Sequence, residues 1–288
     1  CLTVFLQLVE MDKKESGIEE LESVFTYESS QTIRISYSAI KFITKKFCQV
    51  IGRGGYGTVY LGSLRNNVMV AVKKLDTSRN FSDEKFLGEL KCLKTVNHKN
   101  IVRFLGYCAC TDGEVMEIQG KDTVADELRR FLCFEYAPNG NLHDYLKGIC
   151  YITPLLYPVM VMTAPLVLSA EKPPGYEWSI RYKIIKGICQ GLDYLHGKGI
   201  KHLDLKPENV LLGAEMEPKI TDFGLSRNDG TQSTIVINNT LGTPGYIAPE
   251  MIDGHKISFK SDIYSLGIIM KRLLMGTHEY IPQNEVLY

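Results

Sequence analysis

A glycine-rich segment set between two β-patterned stretches limits the folds open to this chain. Residues 52–59 read G-x-G-x-x-G-x-V, and glycines let a turn lie close over a ligand with its N–H groups toward phosphate. A Rossmann dinucleotide site needs a helix directly after its glycines, whereas residues 58–61 and 68–72 alternate like strands. The pattern predicts a glycine-rich hairpin, and a phosphate-binding loop is the functional interpretation of the same residues.

The predicted strands come early in the chain and the predicted helices come mostly late. Short strands are predicted at residues 50–51, 58–61, 68–72 and 131–134. A helix is predicted over 82–96, and the clearest helix covers about 179–196. One apolar stripe marks this second helix: Ile180, Ile184, Ile188, Leu192 and Leu195. This order predicts an α+β fold with two lobes rather than a regular βαβ series.

Composition and charge narrow the class of protein. The 288 residues are 44% hydrophobic and 23% charged, which predicts one large domain or two small ones and excludes disorder throughout. Lys plus Arg is 33 and Asp plus Glu is 33, so the net charge is zero. This balance argues against a nucleic-acid partner bound by a broad basic face. Any bound anion must therefore be held by a local site.

The eight cysteines are scattered, and no C-x-x-C pair occurs. Cys108 and Cys110 form only a C-x-C, which lacks the partner ligands of a zinc site. The interpretation is free thiols in a reducing compartment.

Two segments fit a globular core poorly. Residues 10–23 are charge-rich and predict a solvated, helical leader. Met11 is a candidate for the natural start of the protein. If Met11 is the start, no membrane anchor is expected before the domain. Residues 148–170 carry no charge and are long enough to cross a membrane, but Pro154, Pro158 and Pro165 would break such a helix.

A lysine and a glutamate form a candidate ion pair. Lys73 ends the V-A-V-K strand, and Glu89 follows Phe86 by three residues on the inward side of a predicted helix. Burying an unpaired carboxylate is costly, so Lys73 is the candidate partner. Such a pair would hold the ammonium against nucleotide phosphates, while a solvated lysine is the plainer alternative.

Three later motifs complete a recognisable series. Residues 202–209 read H-L-D-L-K-P-E-N, residues 222–224 read D-F-G, and residues 242–250 read G-T-P-G-Y-I-A-P-E. In this order and spacing, the chain resembles the eukaryotic protein kinase family over roughly 40–276. Within that family it is similar to plant receptor-like and receptor-like cytoplasmic kinases. Lys206 and Thr243 resemble the serine/threonine branch.

The resemblance implies a two-lobed kinase fold with a β-rich N-lobe and a helical C-lobe. A leader or juxtamembrane-like segment would cover 1–36 and the kinase domain 37–288. The N-lobe would take about 46–136, and the C-lobe about 137–288, with an atypical apolar insert at 148–174. The C-lobe would be incomplete at its C-terminus, because the family continues for several helices beyond this sequence.

The resemblance also implies a role for each catalytic residue. Asp204 would accept the proton of the substrate hydroxyl, and Lys206 would add positive charge near the γ-phosphate. Lys73 would touch the α- and β-phosphates and be held by Glu89. Asn209 and Asp222 would be the metal ligands, for Mg²⁺ or Mn²⁺.

The resemblance implies an ATP site that contains more residues than the catalytic set. Gly52, Gly54 and Gly57 would cover the phosphates. The adenine would lie among apolar and hinge residues: Ile51, Val59 and Ala71 over the ring, Phe134 as gatekeeper, and Glu135, Tyr136 and Ala137 as the hinge.

The implied function is transfer of the ATP γ-phosphate to protein Ser/Thr hydroxyls in plant receptor-like signalling, related to immunity or stress. The implied partners are ATP, a protein substrate and an upstream receptor or co-receptor, with no nucleic acid. Membrane association would come only through an N-terminal region outside this sequence, so the expected location is the cytoplasm or the cytosolic face of the plasma membrane. The alternative is a catalytically impaired pseudokinase or scaffold, or a non-functional truncated gene product.

Two departures from the family pattern matter. Leu203 stands where the usual catalytic loop has an arginine that pairs with a phosphate on the activation loop. We therefore hypothesise that activation-loop phosphorylation does not switch this protein on. For residues 148–170 the hypotheses are a translated intron or misassigned splice boundary, or else a genuine insert used as a docking surface.

Overall fold

The structure is a computed structural model, and it divides into two compact units. The first unit comprises Cys1–Leu90 and Arg103–Tyr136, and the second comprises Lys91–Val102 and Ala137–Tyr288. The residues that the structure describes are 2–26, 32–55, 57–77, 82–118, 121–147, 176–228, 234–236, 241–254 and 256–275. The uncharged stretch 148–170 lies outside the described residues, so its interpretations stay predictions.

The first unit is built on a six-stranded sheet. Its strands are β1 (Ile33–Arg34), β2 (Val50–Gly54), β3 (Gly57–Ser63), β4 (Met69–Leu75), β5 (Phe104–Ile118) and β6 (Lys121–Glu135). They lie in the order β1-β5-β6-β4-β3-β2, with β1 parallel to β5 and the other pairs antiparallel. The four predicted strands are confirmed as parts of β2, β3, β4 and β6, with β4 beginning one residue later than predicted, at Met69.

The first unit also contains the helices α1 (Leu2–Thr26) and α2 (Tyr37–Ile43) and, up to Leu90, the helix α3 (Asp83–Thr95). Ser82 precedes α3, and its hydroxyl accepts a hydrogen bond from the backbone N–H of Lys85 at 3.2 Å, as N-cap residues do. Asp83 and Glu84 occupy the first turn, where the helix dipole favours negative charge. The predicted helix over 82–96 is thus confirmed.

Side chains alternate between the two faces of the sheet. One face packs in a core against α1 and α2 and contributes Val70, Val72, Phe131 and Cys133. Burial raises the pKa of the Cys133 thiol to about 12. The six cysteines among the described residues are free thiols, as predicted.

The prediction of a solvated leader over 10–23 is wrong for one side of α1. The segment is helical, but Ile18 and Leu21 are fully buried, and Val24 joins them in the core that α2 shares. The polar side of the helix is also bonded to the rest of the unit, since the backbone N–H of Arg65 donates to Glu22 Oε1 at 2.8 Å. The charge-rich composition conceals a narrow apolar stripe with a spacing of three residues.

The second unit is mainly helical. It contains α4 (Leu142–Leu146), α5 (Tyr176–Gly197), α6 (Pro249–Asp253) and α7 (Phe259–Met275). The predicted helix over 179–196 is confirmed as α5, whose stripe from Ile184 to Leu195 is fully buried. Gly199 ends the helix with φ +76° and donates its N–H to His196 O at 2.9 Å.

Short strands of the second unit carry the loops described below. They are β7 (Ile200–Lys201), β8 (Val210–Leu212), β9 (Pro218–Ile220), β10 (Arg227–Asn228), β11 (Thr234–Val236) and β12 (Lys256–Ser258). Three antiparallel pairs form: β8 with β9, β7 with β10, and β11 with β12. Among the described helices of both units, none has the length and apolar character to cross a membrane.

Candidate active site

In the first unit the glycine-rich segment forms the β2–β3 hairpin, where Gly54 pairs with Gly57. Gly57 has φ +141°, and a Cβ there would lie 2.0 Å from the carbonyl oxygen of Lys74. This position therefore requires glycine, because any side chain would collide with the neighbouring strand. The sequence prediction of a glycine-rich hairpin is confirmed.

The ion pair expected between Lys73 and Glu89 is present. Lys73 Nζ lies 3.5 Å from Glu89 Oε1, and the two side chains are only 11% and 8% exposed. β4 supplies the lysine and α3 supplies the glutamate. A partly buried carboxylate with a cationic partner avoids the cost of an unpaired buried charge.

The predicted hinge residues lie at the end of β6. Phe134 is buried and packs on Phe104 with ring centroids 5.5 Å apart. Glu135 is bound twice by Arg103, whose carbonyl oxygen accepts from Glu135 N–H at 3.0 Å and whose N–H donates to Glu135 Oε1 at 2.7 Å. Tyr136 is half-buried, and desolvation raises the pKa of its hydroxyl. Ala137 begins the next segment of the second unit.

The apolar residues predicted to cover the adenine lie on β2, β3 and β4 of the first unit. Ile51 and Val59 flank the glycine hairpin on β2 and β3, and Ile51 is exposed. Ala71 is a cross-strand partner of Leu61 on one side and of Phe134 on the other.

In the second unit the Asp204 carboxylate is the centre of a hydrogen-bonded cluster. Thr243 Oγ1 donates to its Oδ1 at 2.6 Å, and Lys206 Nζ donates to its Oδ2 at 2.9 Å. Lys206 Nζ also donates to Thr243 Oγ1 at 2.7 Å. Asn209 Nδ2 donates to the Asp204 carbonyl at 2.8 Å and to Oδ2 at 3.2 Å. These donors hold the carboxylate in one orientation.

A second aspartate fixes the backbone of this loop. Asp262 is fully buried in the first turn of α7. Its Oδ2 accepts from the N–H of His202 at 2.9 Å, and its Oδ1 accepts from the N–H of Leu203 at 2.8 Å. The His196 ring also meets Oδ2 at 2.9 Å. Asp262 thus orients the two residues that lead into Asp204.

Leu203 packs in a small apolar core. It has φ +66° and is 5% exposed. Its buried neighbours come from the segment around α6 and from β12: Ile247, Ala248, Met251 and Ile257. Where the family pattern has a cation, this chain joins its catalytic loop to the α6 segment by apolar packing.

The structure brings Asn209 next to Asp204, and it places Asp222 two residues after the end of β9. Asp222 has φ +66°, and the following Phe223 packs on His202 with ring centroids 5.4 Å apart. Both hydrogen bonds described for the Asn209 side chain use its amide nitrogen, so its carbonyl oxygen is the atom suited to a hard cation.

The donor set fits a magnesium-type cation bound together with phosphates. One amide and one carboxylate match the few protein ligands that Mg²⁺ uses beside substrate phosphates and water. Within the described ranges, no group of three or more His, Cys, Asp or Glu residues is arranged to hold a metal. Such a site therefore depends on the nucleotide for its remaining ligands.

Sequence reasoning missed two residues near these motifs. Asp262 stands directly before the apolar run of α7, and a charged residue that is buried at such a position requires a partner. Arg130 was not singled out, and it contacts Asp83 at the start of α3. Its signal in the sequence is that it directly precedes the apolar residues 131–134 of β6.

This α+β fold, with a glycine hairpin, a Lys–Glu pair and a catalytic-loop carboxylate, defines a protein kinase. The family model "Protein kinase domain" matches residues 45–286. The chain belongs to the protein kinase family, and the predicted fold is confirmed.

The relatives are plant kinases. The chain is 34% identical to cysteine-rich receptor-like protein kinase 25 of Arabidopsis thaliana over 86% of its length and 32% of the relative's. It is 32% identical to the Arabidopsis serine/threonine-protein kinase CDG1, covering 87% of the chain and 51% of the relative. It is also 32% identical to rust resistance kinase Lr10 of Triticum aestivum, covering 90% and 36%. The chain thus spans a third to a half of these relatives.

Proposed function

We propose that this protein is a serine/threonine protein kinase that transfers the γ-phosphoryl group of ATP to hydroxyls of a protein substrate. The observation that carries the proposal is the Asp204 carboxylate, which Thr243, Lys206 and Asn209 hold in place at 2.6–3.2 Å. A fixed carboxylate beside a cation suits proton acceptance from a hydroxyl that attacks phosphorus.

In the proposed reaction the substrate oxygen bonds to the γ-phosphorus while the bond to the bridging oxygen of ADP breaks. The hydroxyl proton passes to the Asp204 carboxylate. Lys206 places a positive charge beside that carboxylate and opposes the charge on the transferring group. Positioning and electrostatics supply most of the rate in such transfers.

Nucleotide binding is assigned to residues of the first unit and the hinge. Lys73, held by Glu89, contacts the α- and β-phosphates. The glycine hairpin covers the phosphates, and the β6 end from Phe134 to Tyr136 with Ala137 binds the adenine. Asn209 and Asp222 would hold Mg²⁺ or Mn²⁺, which would supply positive charge to balance that of the phosphates.

The setting of this activity is part of the proposal. Two of the relatives named above carry "receptor-like" or "resistance" in their names, which supports an upstream receptor or co-receptor and a place in the cytoplasm or at the cytosolic face of the plasma membrane. Binding of the chain to a receptor kinase domain would test this setting separately from catalysis.

The activity is tested with the full chain, labelled ATP and a peptide pool containing Ser, Thr and Tyr acceptors. We expect labelled phosphate on Ser and Thr residues of the peptides, and we expect the transfer to require a divalent cation. Rates measured with Mg²⁺ and with Mn²⁺ show which of the two metals the protein prefers. Label that is confined to Tyr, or that is unchanged in the Asp204→Asn protein, would overturn the assignment.

A further inference from the structure

The sheet of the first unit presents two cations to α3 from the same face. Lys73 on β4 is the cross-strand partner of Leu132 on β6, and Leu132 in turn pairs with Tyr107 on β5. Arg130 precedes Leu132 by two residues on β6, so its side chain leaves the same face. The opposite face is the apolar core shared with α1 and α2.

Arg130 meets the first turn of α3. Its Nη2 lies 3.1 Å and its Nε 3.3 Å from Asp83 Oδ1. Its guanidinium also lies 5.7 Å from the ring centroid of Phe86, which is 4% exposed. The arginine therefore contacts both a carboxylate and an aromatic ring of the same helix.

Arg130 itself is held firmly. Its Nη1 donates to the carbonyl oxygen of Cys110 at 2.8 Å and to that of Arg129 at 3.3 Å. The side chain is only 10% exposed. A buried, multiply bonded guanidinium provides a rigid attachment point, whereas a solvated lysine would not.

Asp83 and Glu89 are six residues apart on α3, which separates them by about 9 Å along the helix axis. The pair Arg130–Asp83 fixes the beginning of the helix, and the pair Lys73–Glu89 fixes its middle. Removing the first attachment would let the helix pivot and would weaken the second contact.

We propose that Arg130 is a positioning residue: through Asp83 and Phe86 it holds α3 where Glu89 meets Lys73. This inference rests on the proposed function for its kinetic consequence. The contact between Arg130 and Asp83 attaches α3 to the sheet, and both residues belong to the first unit.

The test compares two carboxylates in one helical turn of the full chain. Asp83→Ala removes the partner of Arg130, and Glu84→Ala removes the neighbouring exposed carboxylate with the same loss of charge at the helix start. We expect Asp83→Ala to lower kcat/KM for ATP about fivefold, the scale of a partly exposed ion pair, and Glu84→Ala to leave it unchanged. Equal kinetic effects of the two variants would overturn the proposal.

A double-mutant cycle tests whether the effect passes through Glu89. In a Glu89→Gln protein, Asp83→Ala should cause no further loss, because the contact it supports is already gone. Additive losses would show that Asp83 acts elsewhere and would overturn the proposal.

Hydrogen exchange in the nucleotide-free protein provides a readout independent of catalysis. The α3 amides should exchange faster in Asp83→Ala than in Glu84→Ala, and equal exchange in the two would contradict the proposal. If the unaltered chain transfers no phosphate but the exchange difference is seen, the proposed function fails while the positioning role stands.

Discussion

Asp204 owes its fixed position to two side chains of its own loop and to one from a distant part of the sequence. Lys206 and Asn209 lie in its own loop, whereas Thr243 approaches from the segment before α6 and donates to Oδ1 at 2.6 Å. The threonine hydroxyl also accepts from Lys206 Nζ. One hydroxyl therefore joins the carboxylate to the cation.

Replacing Thr243 by valine removes that hydroxyl but keeps the side-chain shape. We expect kcat to fall about tenfold or more, the scale of a lost hydrogen bond to a charged group, with little change in KM for ATP. Steady-state kinetics measure both constants. Thr243→Ser keeps the hydroxyl and should retain most of the rate; a serine variant as slow as the valine variant would contradict the account.

Leu203 separates this kinase from those regulated through a catalytic-loop arginine. It lies in an apolar core with residues of the α6 segment and has no donor for a phosphate. We expect phosphatase treatment of active protein to leave the initial rate of phosphoryl transfer unchanged, once intact mass has verified that phosphate is absent. Loss of phosphoryl-transfer activity on dephosphorylation would contradict this prediction.

Sequence reasoning found the residues whose role follows from a contiguous motif. It predicted the contact between Lys73 and Glu89, because an inward carboxylate requires a cation. It could not place Thr243 against Asp204 or Arg130 against Asp83, since those contacts join segments whose approach depends on tertiary packing. Such pairs leave no periodic signal along the chain.

Among the structural elements, the turn after α2 stores backbone strain. Lys45, Lys46 and Phe47 have φ values of +49°, +58° and +62°, in a region that costs non-glycine residues free energy. The turn places Phe47 on Phe131, with near-parallel rings 5.6 Å apart. Aromatic packing against the core offsets the strain.

Asparagine tolerates this conformation better than lysine does. We expect Lys46→Asn to raise the free energy of unfolding by about 0.5 kcal/mol. The same substitution at exposed Lys41 inside α2 should lower it by a few tenths of a kcal/mol, about the difference in helix propensity. Denaturant titration measures both, and shifts of the same sign would contradict the strain argument.

The helix α1 behaves as part of the first unit because its apolar stripe is buried. Leu21→Ala should lower the free energy of unfolding by about 2–5 kcal/mol, as for other fully buried leucines. Exposed Asp12→Ala on the same helix should change it by less than about 0.5 kcal/mol. Thermal or chemical denaturation checks both values. If the two variants were equally stable, α1 would not be packed as described.

At the scale of the whole molecule, the order of strands and helices was predictable and the extent of the first unit was not. The β-patterned early segments and the long amphipathic α5 imply two lobes. The participation of α1 depends on three side chains, Ile18, Leu21 and Val24, within a segment whose composition is dominated by charge. The average composition of the segment does not show an apolar stripe made of so few residues.

The proposed phosphoryl transfer depends on one carboxylate, that of Asp204. The most direct measurement compares initial rates of Ser/Thr phosphorylation for the full chain, for Asp204→Asn and for Asp193→Asn, an exposed aspartate of α5. Each substitution removes one negative charge. We predict full activity for the unaltered chain and Asp193→Asn, and a rate at the assay background for Asp204→Asn. Equal rates for the two variants would contradict the central claim.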